Sequence, residues 1–189
     1  MSVVLTIGHS NHSLERFLAL LAGAGVEMVA DVRSQPASRH FPHFNKAALA
    51  KALQEAGISY LFLGRELGGR PADASLFNDG IADFERMAET ARFRDGLKRV
   101  MAQAMWLRPA LMCSEKAPLD CHRCLLVGRA LSAEGVELRH ILADGGTVTQ
   151  KQIEAELVGA QGALALEQDA LAAAYRDRSK KIAFKRPAS

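Results

Sequence analysis

Short apolar runs alternate with amphipathic runs along most of this chain, and this alternation constrains the fold more than any other feature. The apolar runs cover residues 3–7, 26–30, 58–63, 110–113 and 136–142. Runs of this kind are typical of strands that are buried on both faces of a sheet. The sequence therefore predicts an α/β fold, a single domain with a mainly parallel central sheet covered by helices on both faces.

The segments between these runs carry helix signals at their ends. The predicted helices cover about residues 13–23, 45–57, 84–108 and 121–133. Ser13 and Asn45 stand where helix N-caps are expected. Gly96 is expected to break the third helix. After Asp144 the sequence becomes polar and then alanine-rich, which predicts one or two further helices and a loose tail.

The chain of 189 residues, with 49% hydrophobic and 24% charged residues, is long enough for one well-buried domain. We expect an α/β domain over residues 1–148 and a C-terminal helical extension with a basic tail over residues 149–189. Residues 176–189 carry a net charge of +5, which leaves about −2 for the rest. Such a tail is either a solvated terminus or an electrostatic arm for a polyanion.

Other sequence features bound the cellular setting. No apolar run approaches the roughly 20 residues of a membrane span. The first ten residues lack the basic flank and the cleavage site of a signal peptide. We therefore expect a cytoplasmic protein with no membrane partner. Three cysteines in such a chain do not indicate a disulfide framework, and we expect them to be thiols, ligands or core residues.

Polar side chains follow the first two predicted strands. His9 and Ser10 come directly after the first strand, and Asp31 and Arg33 after the second. Because ligands of parallel sheets bind beyond the carboxyl ends of the strands, we expect these side chains to meet in one crevice. There Asp31 can orient an imidazole and Arg33 can neutralise a negative substrate group. The alternative is a structural ion pair between Asp31 and Arg33.

All three cysteines lie between Leu111 and Cys124. Cys113 ends the fourth predicted strand, and Cys121, His122 and Arg123 are expected to open a helix. A helix start lowers the pKa of a thiol and favours an anion, and an arginine adds a bidentate donor. The alternative for Cys113 is a small core residue.

Two loops carry weaker signals. Gly68, Gly69 and Arg70 allow a backbone to approach a ligand closely, and Arg65 and Arg70 are candidates for binding phosphate. The segment matches no nucleotide-binding fingerprint. His40 and His43 have metal-ligand spacing, but we interpret them as surface histidines.

With these residues in view, the chain resembles the family named domain of unknown function 488, whose members are bacterial and archaeal proteins without an established activity. The resemblance covers residues 4 to about 145 and rests on TIGHSNHSLERFL, VADVRSQPASRHFPHFN, LGRELGGR, LMCSEKAPLDCHR and HILADG. It implies an α/β fold and one common site, which adds Asn45, Glu66, Gly68, Gly69 and Glu115 to the residues above. Similar proteins usually have Ser in place of Cys124.

Our first functional hypothesis is an enzyme that acts on a phosphorylated or otherwise anionic small molecule or nucleotide at the strand ends. The predicted catalytic residues are His9, Asp31, Cys113, Cys121 and His122. The predicted substrate-binding residues are Ser10, Arg33, Asn45, Glu66, Gly68, Gly69, Glu115 and Arg123. We expect His9 or His122 to move protons. We expect Cys113 or Cys121 to act as a nucleophile or as a polarisable wall of the pocket. No cofactor and no metal is predicted.

Two alternatives remain open. The second hypothesis is a nucleic-acid-binding accessory protein that uses the basic tail and a loop containing Arg33, Arg39, His40 and His43. The third is a structural zinc site formed by Cys113, Cys121, Cys124 and His122. A redox-active pair of Cys121 and Cys124 fits the spacing poorly, because a loop of seven residues separates it from the preceding strand.

Overall fold

The structure is a computed structural model that describes residues 3–159 and 168–186. Its strands are β1 (Val3–Gly8), β2 (Met28–Asp31), β3 (Ser59–Phe62), β4 (Phe77–Asn78), β5 (Ile81–Ala82), β6 (Pro109–Cys113), β7 (Glu137–Ile141) and β8 (Thr147–Thr149). Its α-helices are α1 (Leu14–Gly23), α2 (Lys46–Glu55), α3 (Gly64–Leu67), α4 (Phe84–Ala88), α5 (Ala91–Gln103), α6 (Arg129–Ala133), α7 (Gln150–Gly159) and α8 (Gln168–Ile182).

Six of these strands form the central sheet, in the order β3-β2-β6-β1-β7-β8. All neighbouring strands are parallel except β8, which runs antiparallel to β7. The register places Gly8 of β1 beside Cys113 of β6, and Asp31 of β2 beside Met112 of β6. The carboxyl ends of β1, β2 and β6 therefore lie together at one edge of the sheet.

Helices cover both faces of the sheet. On one face Phe17 of α1 and Leu49 of α2 pack against β1, β2 and β6. On the other face Leu97 of α5, Leu125 and Tyr175 of α8 belong to a second buried cluster. The predicted α/β fold, with one domain and a mainly parallel sheet, is confirmed. Of the helices within the described ranges, none is both long and apolar enough to cross a membrane.

One local prediction was wrong, one predicted helix differs in type at its start, and three short strands were missed. Gly96 does not break a helix, because α5 runs through it. A Cβ atom at Gly96 would lie 2.8 Å from the Leu67 side chain, so this glycine allows α3 to pack closely. The helix predicted from Cys121 begins as a π-helical segment, Arg123–Gly128, before α6. The short strands β4, β5 and β8 were not predicted, since two or three residues carry no periodicity.

The tail predicted to be loose is folded onto the domain up to Arg186. Lys185 forms a β-bridge with Ile81, and the amide of Ala82 donates to the carbonyl of Phe184. The segment 183–186 thus adds to the β4-β5 hairpin. Part of the alanine-rich stretch, residues 160–167, and residues 187–189 lie outside the described residues. The domain boundary at residue 148 stays a prediction.

Candidate functional site

Two groups of side chains meet at the carboxyl edge of the sheet. We call His9, Asp31, Arg33 and Tyr60 the arginine cluster. We call Cys113, Glu115, Cys121 and His122 the cysteine cluster. Because β6 lies between β1 and β2, the two clusters are neighbours. The sequence therefore predicted correctly that the first, second and fourth strand ends contribute to one region.

In the arginine cluster, Asp31 is fully buried and its carboxylate accepts four hydrogen bonds. Oδ1 accepts from the backbone amide of Arg33 at 3.1 Å and from its Nε at 2.9 Å. Oδ2 accepts from Nη2 of Arg33 and from the hydroxyl of Tyr60, both at 2.7 Å. Four such bonds fill the lone pairs of a carboxylate. Asp31 therefore orients Arg33, and the prediction that it orients a histidine was wrong.

His9 contacts the other side of the Arg33 guanidinium. Its Nε2 lies 3.3 Å from Nη1 of Arg33, and its Nδ1 lies 3.0 Å from the carbonyl of Ser10. A guanidinium can only donate, so Nε2 accepts and Nδ1 carries the proton. Burial and the positive charge of Arg33 lower the pKa of His9 to about 4. His9 is therefore a neutral imidazole, and it stacks on Phe44 with ring centroids 4.3 Å apart.

The cysteine cluster has a different geometry. Sγ of Cys113 lies 3.0 Å from Oε2 of Glu115, and Sγ of Cys121 lies 3.1 Å from the same oxygen. Nδ1 of His122 lies 3.7 Å from the first sulfur and 3.9 Å from the second. The two sulfurs and this nitrogen all lie within 4.8 Å of one another. Two thiols, one carboxyl group and one imidazole thus converge on one point.

The His122 ring is held in a fixed orientation. Its Nε2 lies 3.0 Å from the carbonyl of Val32, at the end of the neighbouring strand. Since a carbonyl only accepts, Nε2 carries a proton and Nδ1 faces the sulfurs. Gly69 packs against the ring, and a Cβ atom there would lie 2.8 Å from Cγ of His122. The glycine at this position therefore allows the Gly68-Gly69 segment to lie directly against the His122 ring.

The titratable groups of the cysteine cluster shift one another's pKa values. Burial and a hydrogen bond to Cys121 raise the pKa of Cys113 well above its usual value. Burial acts against ionisation of Cys121 too, but a hydrogen bond from Cys113 and the charge of Arg123 lower its pKa well below the usual value. Burial and Cys121 raise the pKa of Glu115. Burial lowers the pKa of His122, but its hydrogen bond to Cys121 and the charge of Cys121 prevail and raise it.

Arg123 is not presented to a substrate. It is fully buried, and its Nη1 and Nη2 donate to the carbonyls of Glu115 at 2.6 Å and Lys116 at 3.0 Å. The prediction that Arg123 holds a substrate anion is therefore wrong. Its Nε has no hydrogen-bond partner among the described residues. Its guanidinium fixes the loop that carries Glu115 and contributes positive charge beneath Cys121.

A cavity of about 210 Å³, which we call the cysteine cavity, opens onto this cluster. Its lining includes Cys113, Glu115, His122, Arg33, Ser34, Gly69, Arg70, Asp120, Ile182 and Phe184. A larger cleft of about 760 Å³ adjoins it and shares Ser34 and Arg70 as lining residues. The guanidinium of Arg70 lies 5.2 Å from the ring centroid of Phe184, so the segment 183–186 helps to shape this wall.

Several predicted site residues lie outside the cysteine cavity. The Ser10 hydroxyl contacts Asn11, and Oδ1 of Asn45 accepts from the amide of Ser38 at 2.6 Å. Glu66 pairs with Arg99 at 2.6 Å and lines the larger cleft, as does Gly68. Cys124 also lies apart, because its sulfur contacts Oε1 of Gln150 at 3.8 Å. Among the described residues, the group of donors close enough to share a metal ion is Cys113, Cys121 and His122, so a zinc site that includes Cys124 does not fit.

Three contributors to the region were not predicted from the sequence. Tyr60 binds Asp31, but a single tyrosine within a strand gave no functional signal. Ile182 and Phe184 line the cysteine cavity. The signal that pointed to them was the presence of apolar residues inside a strongly basic stretch, which favours docking over solvation.

Several of the residues required by the nucleic-acid hypothesis are engaged within the domain. Arg33 is buried in its ion pair. Arg178 pairs with Asp120, and Arg176 lies 3.6 Å from Glu85. Arg186 lies over the Phe77 ring at 4.3 Å. His43 contacts the carbonyl of His12 at 3.1 Å. The hypothesis itself stays a prediction.

Comparison with known proteins adds one decisive observation. The family model for the domain of unknown function DUF488 matches residues 13–130, more than half of the chain. The chain belongs to the DUF488 family. The match includes Asp31, Arg33 and the whole cysteine cluster, whereas Ile182 and Phe184 lie beyond it, and so does His9 at its other end. Neither a search of curated proteins nor a search of solved structures found a match.

Proposed function

We propose that the protein is an enzyme that acts on a small anionic molecule, such as a phosphorylated metabolite or a nucleotide, in the cysteine cavity. One observation carries this proposal: two thiols, an imidazole and a carboxyl group converge at a cavity beyond the carboxyl ends of parallel strands. Ligands of parallel α/β folds bind at this edge, and such a convergence of reactive groups is uncommon away from functional sites.

The anionic group of the substrate is assigned to Arg70. Arg33 lines the same cavity, but Asp31, the Phe44 carbonyl and His9 occupy most of its donors. It therefore contributes electrostatic potential more than hydrogen bonds. Arg70 is exposed, and its backbone amide is fixed by the hydroxyl of Ser34 at 3.0 Å. Its exposed, charged side chain at the mouth of the cavity suits a phosphate or carboxylate.

The dimensions of the two cavities favour a substrate with a small anionic head and a larger body. The cysteine cavity, at about 210 Å³, is smaller than the roughly 300–1,000 Å³ of ordinary ligand pockets. The adjoining cleft, at about 760 Å³, falls within that range. Since Arg70 borders both, an anionic group held there leaves the reacting atoms near Cys113 and the remainder in the cleft.

The test is a binding measurement with inorganic phosphate, pyrophosphate and a nucleotide panel, made by calorimetry and by thermal stabilisation of the whole chain. We expect at least one of these anions to bind, and Arg70→Gln to weaken its binding about tenfold through loss of a charge-assisted hydrogen bond. Turnover of the best ligand should be abolished by His122→Ala.

The matched control is Arg94→Gln, which removes an exposed arginine that lines neither cavity. Its binding should stay within about twofold of the wild type, because distant exposed charges are largely screened. Anion binding that is absent, or that falls equally in both variants, would refute the proposal.

A further inference from the structure

We propose that the cysteine cluster binds a divalent metal ion of the zinc class, with Sγ of Cys113, Sγ of Cys121, Nδ1 of His122 and the Glu115 carboxylate as donors. This inference rests on the proposed function and deepens it, because it adds a metal ion to the reactive groups that border the cysteine cavity. It departs from the sequence prediction, which assigned no metal and whose zinc alternative relied on Cys124.

The spacing of the donors fits a tetrahedral ion. With zinc–sulfur distances of about 2.3 Å and zinc–nitrogen distances of about 2.0–2.1 Å, a tetrahedron separates sulfur from nitrogen by about 3.6 Å. The observed separations from Nδ1 of His122 are 3.7 Å to Cys113 and 3.9 Å to Cys121. The Glu115 oxygen lies 3.0 and 3.1 Å from the two sulfurs but does not belong to the set of donor atoms that all lie within 4.8 Å of one another, so it is the peripheral donor.

The groups around the donors resemble the outer shell of a metal centre. Ligating histidines usually donate their other ring N–H to a carbonyl or carboxylate, which fixes the ligating nitrogen. His122 does this through Nε2 and the carbonyl of Val32 at 3.0 Å. The backbone amide of Arg123 donates to Sγ of Cys121 at 3.4 Å, and such a bond stabilises negative charge on the sulfur.

The charge of Arg123 supplies independent support. Its guanidinium is fully buried, and within residues 3–159 and 168–186 no carboxylate lies at ion-pair distance from it. A buried cation without a counter-charge is unfavourable, so Arg123 favours negative charge on the neighbouring Cys121 sulfur, to which its own amide donates. Two thiolates and one carboxylate around a divalent ion carry a net charge of −1, which the guanidinium balances. Zinc, which has no redox chemistry and prefers sulfur and nitrogen donors, suits this set.

The experiment uses the full chain, treated with a chelator under reducing conditions and then titrated with Zn²⁺ against a chromophoric competitor. Bound zinc is counted by elemental analysis. Substitution with Co²⁺ provides a second measurement, since thiolate ligands give an intense sulfur-to-cobalt charge-transfer band. The variants are Cys121→Ser, His122→Ala and Glu115→Gln. Cys124→Ser is the matched control, because Cys124 follows Cys121 by only three positions in the sequence and its sulfur contacts Gln150 instead.

We expect one zinc ion per wild-type chain. Cys121→Ser and His122→Ala should weaken binding at least about 100-fold, and Glu115→Gln about tenfold, in keeping with the loss of a ligand and of a more peripheral donor. Cys124→Ser should bind as the wild type does. If a ligand variant fails to fold by circular dichroism, the wild-type cobalt band decides, because it reports thiolate ligation directly.

Wild-type protein that binds no stoichiometric zinc at micromolar free metal overturns the metal site. So does binding that Cys124→Ser weakens as much as Cys121→Ser. The proposed function fails separately, through anion binding that Arg70→Gln does not weaken. Zinc-free protein that still binds phosphate through Arg70 would therefore retain the enzyme proposal and eliminate the metal.

Discussion

The arginine cluster and the cysteine cluster lie side by side on neighbouring strands, yet their polar groups are used in opposite ways. In the arginine cluster every oxygen lone pair of Asp31 is occupied. In the cysteine cluster a single oxygen of Glu115 contacts both thiols, and the Cys113 sulfur lies 3.7 Å from the ring nitrogen of His122. A saturated network stabilises structure, whereas groups that share too few partners are available for chemistry. The difference supports the proposal that the first cluster stabilises the fold and that the second is the reactive one.

The strongest test of this difference is Asp31→Asn. The substitution leaves the buried Arg33 guanidinium without its counter-charge, and we expect the free energy of unfolding to fall by about 3–5 kcal/mol. Urea denaturation followed by circular dichroism measures the change. Glu66→Gln, which breaks the more exposed pair with Arg99, should cost less than about 1 kcal/mol. Equal losses in the two variants would show that Asp31 has no special role.

Acid should weaken the arginine cluster through His9. Burial and Arg33 lower its folded pKa to about 4, against 6.5 for the exposed ring. Between these values the unfolded chain binds a proton that the folded chain does not, so stability is present above pH 6.5 and is lost as the pH falls toward 4. The loss amounts to roughly 3 kcal/mol.

Denaturation curves between pH 6.5 and 4.5 test this prediction. His140, whose pKa is also about 4 because of its burial, adds a similar slope. A His9→Gln variant should therefore lose about half of the pH dependence and keep the part due to His140. A variant with the same slope as the wild type would mean that His9 is already charged in the fold.

A smaller effect is expected for Tyr60→Phe. The variant removes the hydroxyl that donates to Asp31 at 2.7 Å, and a hydrogen bond to a charged group contributes about 1.5–3 kcal/mol, so we expect a loss near 1.5 kcal/mol. In the Asp31→Asn background the loss should shrink, and a double-mutant cycle by urea denaturation measures that coupling. Additive losses would contradict a shared network.

The smallest effect is expected in the cysteine cluster. Glu115→Gln keeps the shape and the acceptor oxygen while removing a buried acidic group, so the metal-free protein should change in stability by no more than about 0.5 kcal/mol. Thermal denaturation with chelator and reductant present measures it. A loss comparable to that of Asp31→Asn would break the contrast between the two clusters.

The sequence predicted the sheet and the strand ends because both depend on local pattern. Apolar runs and cap residues such as Ser13 signal elements directly, and the carboxyl-edge rule then places Cys113 beside the end of β1. The convergence of Cys121 and His122 on Cys113 was predicted for the same reason. Fold and region were therefore predictable from one chain.

The roles of individual side chains were less predictable, because they depend on packing between distant segments. Asp31 was expected to bind a histidine. Arg33 is two residues away and Tyr60 lies on the adjacent strand, and both donate hydrogen bonds to its carboxylate instead. Arg123 was expected at the surface, yet the close approach of Gly8 to the Glu115 carbonyl draws this loop over the guanidinium. No periodicity or motif encodes such contacts.

The wall contributed by Ile182 and Phe184 has a consequence for biosynthesis. The cysteine cavity unites residues from Arg33 to Phe184, and a ribosome delivers these parts in order. The central strands can pair while the chain is still being made, but the cavity stays open until Phe184 has emerged and docked on the β4-β5 hairpin. A nascent or prematurely ended chain therefore lacks the part of the wall that faces Cys113 and His122, and only the longer product completes it.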